Sequence, residues 1–560
     1  MLLTVTNLIT EFRNHDSSFK AIDVSFEIGD REIVGLVGES GSGKTITALS
    51  LVRILSRGQF STGSILFNNE TVDLMKITDV QMAGYRGKEI GFIFQEPVSA
   101  LNPIVSCGKQ LTEAILIHQK ISEKKARAKA IELLKKVDLL NTEDVFNSYP
   151  FQLSAGQKQR VLIAIAICCN PRLLIADEPT TALDTITQQS ILVLLKKLQL
   201  DLGMSILYIT HDLDIVSAIA QRVLVISKGS IVESGTVQEV YLNPKNDYTK
   251  ELMSIHSAKY KKGLRLPVLC GVISKPAIGV TSNKNTSILY NANEMQVLLK
   301  VSNLSCAFRN TKLSFFGKNK TVVKAVDGVS FELRVGETLG IIGLSGCGKT
   351  TIARSIIRMV EPLKGTIQFK EDEVTNMDKF DLRDFRKRVQ LIFQDPYSSL
   401  NPKLKIGEAL TEPMKVHGIF KNEGERKKQA MHLLSKVNIN EDYFNRYPHE
   451  LSGGERQRVV IARALTLNPE LIICDECVSA LDISAQATVL NLLNDLKHEF
   501  NLTYIFISHD LNVVNYMSDR ILVMNSGKII EEGTSEQLFS NSKTDLTKSL
   551  IAAIPKEILT

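Results

Sequence analysis

The sequence predicts two copies of one α/β domain, each a parallel sheet crossed by helices and carrying a glycine-rich loop. Three observations lead there. The chain repeats itself at domain scale, short apolar β-rich runs alternate with longer helical runs inside each copy, and the pattern GxxxxGK[ST] occurs once in each.

The repeat is legible motif by motif. GESGSGKT at 38–45 returns as GLSGCGKT at 343–350, and FIFQEPVSALNP at 92–103 as LIFQDPYSSLNP at 391–402. YPFQLSAGQKQRV at 149–161 returns as YPHELSGGERQRV at 447–459, LLIADEPTTALD at 173–184 as LIICDECVSALD at 471–482, and YITHDL at 208–213 as FISHDL at 506–511. From the LS motif onward the copies stay 298 positions apart, as His211 and His509 do, without a net insertion. A period of that size marks a duplicated domain, since solenoid repeats run to only about 20–50 residues. The boundaries fall at 1–252 for the first domain, 253–297 for a linker with the first domain's tail, and 298–560 for the second. Within each copy, runs such as REIVGLVG, RLLIAD and SILYIT read as strands. EKKARAKAIELLKKV and QQSILVLLKKLQ read as helices.

Composition excludes several classes. At 560 residues the chain is too long for one core, and 44% hydrophobic content is ordinary for a folded protein. A net charge of +6, from 67 basic and 61 acidic residues, does not suggest a dedicated nucleic-acid binder, and no nucleic-acid partner is expected. The longest apolar run, Val161 to Cys169, is far shorter than the roughly 20 residues of a spanning helix. The N-terminus lacks a secretory signal, so a cytoplasmic location is expected. The eight cysteines show no paired framework, Cys270 among them. Cys474 and Cys477 have metal or redox spacing, but the two acids between them have a better use. The run Lys259, Lys261, Lys262 and Arg265 reads as a solvated charge cluster, with contact to lipid headgroups as the alternative.

The chemistry rests on four constellations. Gly38, Glu39, Ser40, Gly41, Ser42, Gly43, Lys44 and Thr45 follow an apolar strand at Ile33–Val37 and precede a helical run. Gly343, Leu344, Ser345, Gly346, Cys347, Gly348, Lys349 and Thr350 follow Leu339–Ile342 in the same way. In that context glycines let backbone N–H groups wrap phosphates at a helix N-terminus; Lys44 and Lys349 reach the β- and γ-phosphates, and Thr45 and Thr350 ligate Mg²⁺. Asp177 and Asp475 end buried apolar runs, placing a carboxylate for the metal where open α/β sheets bind ligands. The adjacent Glu178 and Glu476 are positioned to polarise a water for in-line attack.

Together GxxxxGKT, the glutamine of FxFQxP, LS[AG]G[QE], the DE pair, [AS]LD and a His after a β-run resemble the ATPase subunits of ABC transporters. The resemblance implies a P-loop NTPase fold with a RecA-like core, an antiparallel β subdomain and an α-helical signature subdomain. It implies ATP and Mg²⁺, with Gln95 and Gln394 sensing the metal and the membrane partner, and His211 and His509 contacting the γ-phosphate. It also implies that signatures act across domains: Ser452, Gly453 and Gly454 complete the site of Lys44, and Ser154, Ala155 and Gly156 that of Lys349. For base stacking, Phe12 and Phe308 compete with Phe19 and Phe316.

FQEPVSALNP, FQDPYSSLNP, YPHELSGGERQRV, KAVDGVSF and DYTKELM are similar to the oligopeptide, dipeptide and nickel import ATPases, here fused as a pair. That implies two integral-membrane permeases, an extracytoplasmic binding protein and a peripheral place on the cytoplasmic face of the inner membrane. Many such relatives carry an iron–sulfur cysteine cluster after the first domain; Cys270 stands alone, so none is expected. The competing class, soluble twin cassettes acting on ribosomes or DNA, usually carries a long charged helical arm or zinc insertions, and the linker has neither. The copies also differ. Ala155 stands where the second has Gly453, and Pro179 where the second has Cys477. Under the cross-domain arrangement Ala155 and Cys477 share the Lys349 site. A methyl near the phosphate and a looser turn lead one to expect mild impairment there.

Overall fold

The computed structural model describes residues 1–14, 17–56, 58–68, 71–95, 97–181, 183–257, 260, 262–268, 296–311 and 320–553. Phe316, Lys259, Lys261 and Cys270 lie outside the described residues. The chain divides into two compact units, one over Met1–Ser257 and one over Ala258–Ile554.

In the first unit the strands are β1 (Leu3–Asn14), β2 (Ser17–Ile28), β3 (Ile33–Val37), β4 (Gln59–Phe67), β5 (Val72–Asp73), β6 (Ile90–Ile93), β7 (Leu173–Asp177), β8 (Ser205–Thr210), β9 (Arg222–Ser227) and β10 (Ser230–Thr236). They form one sheet in the order β5-β4-β1-β2-β10-β9-β3-β8-β7-β6. Its β6-β7-β8-β3-β9 part is parallel, with β10 antiparallel at its side. Every residue of β3, β7 and β8 is buried, as the unbroken apolar runs require of parallel strands covered on both faces. The antiparallel part, β5-β4-β1-β2, joins it through a single bridge, Ser230 to Asp23.

The helices that bear on the site are α1 (Lys44–Leu51), α2 (Ala155–Ala166), α3 (Thr185–Leu202) and α4 (Leu213–Ile219). Helices Cys107–His118 and Glu123–Lys136 pack with α2 into a helical layer, through Leu111, Ile115, Leu134 and Val161 among others. The expected three parts, parallel core, antiparallel sheet and helical region, are therefore all present.

The second unit repeats the plan with β11 (Val297–Thr311), β12 (Lys320–Arg334), β13 (Thr338–Gly343), β14 (Lys364–Phe369), β15 (Asp372–Glu373), β16 (Val389–Ile392), β17 (Leu471–Asp475), β18 (Thr503–Ile507), β19 (Arg520–Asn525) and β20 (Lys528–Thr534). Here the antiparallel sheet, β12-β11-β14-β15, is separate from the six-stranded β16-β17-β18-β13-β19-β20. Its matching helices are α5 (Lys349–Ile356), α6 (Gly453–Leu465), α7 (Ile483–Phe500) and α8 (Leu511–Met517). Residues 262–268, read from sequence as linker, pack within this second unit. Among the described residues no helix is long and apolar enough to cross a membrane.

Candidate nucleotide sites

Parallel strands deliver their C-terminal ends to one edge, and that topology gathers the nominated residues. In the first unit β3 runs into Gly38, β6 toward Gln95, β7 ends at Asp177 and β8 leads to His211. The loop Gly38–Gly43 turns back on itself before α1. Gly43, the N-cap of α1, has φ +104°, a left-handed value that side-chain-bearing residues rarely adopt. A Cβ on Gly38 would lie 2.2 Å from the Ile226 carbonyl oxygen, so only glycine permits that approach. Lys44 is buried, and its Nζ donates to the carbonyls of Gly38 and Glu39, both at 2.8 Å. Lys349 does the same to Gly343 at 2.8 Å and Leu344 at 3.1 Å. Both ammonium groups thus sit inside the loop curl.

Behind the lysine lies the acid pair. Burial pushes Asp177 up to about 6, against the hydrogen bond from Thr45. One carboxylate oxygen of Asp177, Oδ1, is buried without a protein partner. Asp475 is raised for the same reason, and accepts from Thr350 Oγ1 at 3.1 Å. A threonine hydroxyl beside a buried carboxylate with spare lone pairs suits a hard divalent cation that also takes phosphate oxygens and water.

Glu178 is the hub. Its Oε2 accepts from Gln95 Nε2 at 2.9 Å and from Thr181 Oγ1 at 3.0 Å, while its Oε1 lies 3.1 Å from His211 Nδ1. Burial alone would raise its pKa, but His211, Lys44 and Gln95 outweigh it and bring the group down to about 2. The same partnership raises His211 against its own burial. In the second unit Gln394 Nε2 donates to Glu476 at 2.9 Å, and His509 Nδ1 stands 3.4 Å away. Both glutamates are left-handed, with φ +46° for Glu178 and +50° for Glu476. Nominated from sequence as a metal sensor, Gln95 here presents its amide nitrogen to Glu178. Thr181 was not singled out from sequence at all; its place three residues after Glu178 was the available signal.

The signature residues stand at helix starts. Ser154 caps α2 and Ser452 caps α6, each closing a capping box with the residue three positions on. Ser154, Ala155 and Ser452 are exposed, while Gly156, Gly453 and Gly454 are half-buried. A Cβ on Gly156 would come within 2.5 Å of Thr187, so α3 packing requires glycine there. A Cβ on Gly453 would meet nothing closer than 3.8 Å, which is why Ala155 is tolerated within its own unit. Of the aromatic candidates, Phe12 pairs directly across β1 and β2 with Phe19, and Phe308 with Val323 across β11 and β12. Glu39 N–H donates to Tyr248 Oη at 3.2 Å, tying the DYTKELM segment to the first loop.

The ABC transporter family model matches residues 22–181 and 326–479, one stretch in each copy. The chain belongs to that family. It is a fused twin ABC ATPase, homologous along nearly its whole length to import ATP-binding proteins. It is similar to the glutathione import ATP-binding protein GsiA of Salmonella choleraesuis strain SC-B67, 39% identical over 563 residues covering 99% of this chain and 89% of that one. The GsiA of Pectobacterium atrosepticum is 38% identical over 561 residues, with the same coverage. Among solved structures, a dimeric ATP-binding cassette bound to ADP and Pi is 28% identical, with a TM-score of 0.38 over 42% of this chain and 99% of that one.

Proposed function

We propose that this ATPase powers the import of peptides, docked on two integral-membrane permeases at the cytoplasmic face of the inner membrane and fed by an extracytoplasmic binding protein. Two lines support the reading. The relatives above are named for the import of glutathione, itself a tripeptide, and no described helix could cross a membrane.

The chemistry is phosphoryl transfer from ATP to water. Lys44 and Lys349, with the loop N–H groups of 38–45 and 343–350, hold the phosphates. Thr45 with Asp177, and Thr350 with Asp475, would hold Mg²⁺, which supplies charge neutralisation on the β- and γ-oxygens. Gln95 and Gln394 complete that assignment through their amide oxygens. Glu178 stays ionised far below neutral pH and orients and polarises the attacking water; Glu476 orients and polarises the water in the second copy. His211 and His509 hold their glutamates in place and face the γ-phosphate. Catalysis then comes from positioning and electrostatics.

The observation that carries the assignment is the Gln–Glu–His grouping, built twice from residues just past the ends of separate strands. Changing Glu178 and Glu476 together to Gln should leave ATP binding intact and lower turnover by about 100-fold or more. Near wild-type hydrolysis would remove both glutamates from the chemistry. For the substrate, permease-bearing vesicles should speed ATP hydrolysis when peptide-loaded binding protein is added. A response to another solute class and none to peptides would sink the peptide reading.

A further inference from the structure

Residues 262–268 sit in sequence where a tether is expected, yet the structure gives them a specific seat on the second unit. Leu266 is buried, and its backbone N–H and C=O are both taken by one side chain: N–H donates to Asn491 Oδ1 at 2.9 Å, and Asn491 Nδ2 donates to the carbonyl at 2.8 Å. Asn491 lies inside α7 and is only 4% exposed. A buried amide in a helix is expensive unless both its ends are matched, and here the backbone of Leu266 matches both. Further contacts extend the seat. Tyr516 Oη donates to the Leu264 carbonyl at 3.0 Å, Arg265 pairs with Asp495 at 3.0 Å, and Lys262 pairs with Asp519 at 3.0 Å while donating to the Ser518 carbonyl at 2.8 Å. Two cations of the sequence's charge run, Lys262 and Arg265, are exposed, as a solvated run implies, and each is also paired with a protein carboxylate.

The duplication supplies an internal control. The positions 298 residues earlier are Val193, Lys197, Ala218 and Gln221. None can replace its counterpart: valine has no amide, lysine would repel Arg265, alanine has no hydroxyl, and glutamine no charge. Val193 is 69% exposed. The cassette fold thus does not call for Asn491, Asp495, Tyr516 or Asp519, and in the second copy all four face the same segment.

What the segment grips is the frame of the second site. α7 starts at the Asp482 cap, six positions after Glu476; α8 starts at the Asp510 cap, directly after His509. Asp519 also accepts the Thr338 N–H at 2.9 Å and Lys497 Nζ at 3.2 Å, and Thr338 opens β13, the strand feeding the Lys349 loop. We propose that residues 262–266 form a strap, with Asn491 as its positioning residue, that holds α7 and α8 in place. Unseating it slows ATP turnover without weakening ATP binding. The inference rests on the assignment of Glu476 and His509 to catalysis.

The test uses the full chain with Asn491→Val, which installs the first copy's residue, and Tyr516→Phe, which removes only a hydroxyl and is safe for the fold. Asn491→Val should speed hydrogen exchange at the Leu266 amide by about tenfold or more and hasten tryptic cleavage after Lys262 and Arg265. Its kcat should fall about three- to tenfold, with KM for ATP within about twofold of wild type; Tyr516→Phe should move each readout the same way by less. A Leu266 amide already exchanging freely in the wild-type chain would overturn the seat. An unseated strap with unchanged kcat, whatever the change in melting temperature, would overturn its role in turnover while leaving the Glu476 assignment to stand on the double Gln variant.

Discussion

The two glutamate turns reach one backbone from different sequences. Pro179 follows Glu178 and Cys477 follows Glu476, yet Thr181 N–H reaches the Glu178 carbonyl at 3.2 Å and Ser479 N–H reaches the Glu476 carbonyl at 3.2 Å. Loss of the proline leaves that bond in place, so the same closing bond holds both turns. The side chains differ instead. Thr181 donates its hydroxyl to the Glu178 carboxylate, whereas Ser479 donates its own to the Glu476 backbone carbonyl at 2.9 Å. His211 also stands closer to its glutamate, 3.1 Å against 3.4 Å. Asymmetry between the sites is thus carried by what surrounds the carboxylate, and the backbone beneath it is shared.

That contrast can be broken most decisively at the glutamates themselves. Glu178→Gln should lower steady-state hydrolysis by about 100-fold and Glu476→Gln by about tenfold, measured as phosphate release. Losses beyond about twofold at both positions would mean the two sites work in concert, and equal losses or the reverse order would refute the asymmetry. Binding comes next. Lys44→Ala and Lys349→Ala should each weaken nucleotide affinity at their own loop by about tenfold or more, read by calorimetry, because each removes the charge inside the curl.

A finer separation comes from the hydroxyls. Thr181→Ala should slow turnover by about two- to fivefold, and Ser479→Ala by less than about twofold. Matching losses would show that the carboxylate contact is unimportant. The smallest effect is on stability. His211 has a raised pKa, so its pair with Glu178 contributes fully below the unfolded histidine value of about 6.5 and fades as pH rises through the raised folded value. Glu178, near 2, stays ionised throughout. The melting temperature lost on His211→Gln should therefore be larger at pH 5.5 than at pH 9, and a loss independent of pH would dissolve the ion pair.

Sequence alone made the nucleotide loops, the acid-bearing strands and the histidines legible, because each is marked by a short local pattern. Gly43 takes the left-handed turn that opens α1, and Asp177 ends a strand that is apolar from Leu173 onward. The seat of Leu266 was not legible: it joins a residue in an unpatterned segment to an asparagine 225 positions away, and nothing near Asn491 in sequence marks it. The Thr181 contact was hidden for a different reason. Threonine after a buried acid is common, and only the turn's left-handed start aims its hydroxyl back at the carboxylate.

That left-handed start sets a conflict between folding and chemistry. A left-handed residue other than glycine costs the fold roughly 1 kcal/mol, and the chain accepts that cost twice. Glycine at 178 and 476 would relieve that strain, but it would also strip Gln95 and His211, and Gln394 and His509, of the carboxylate they share. Each cassette therefore keeps a strained backbone whose cost is tied to the one side chain the chemistry needs.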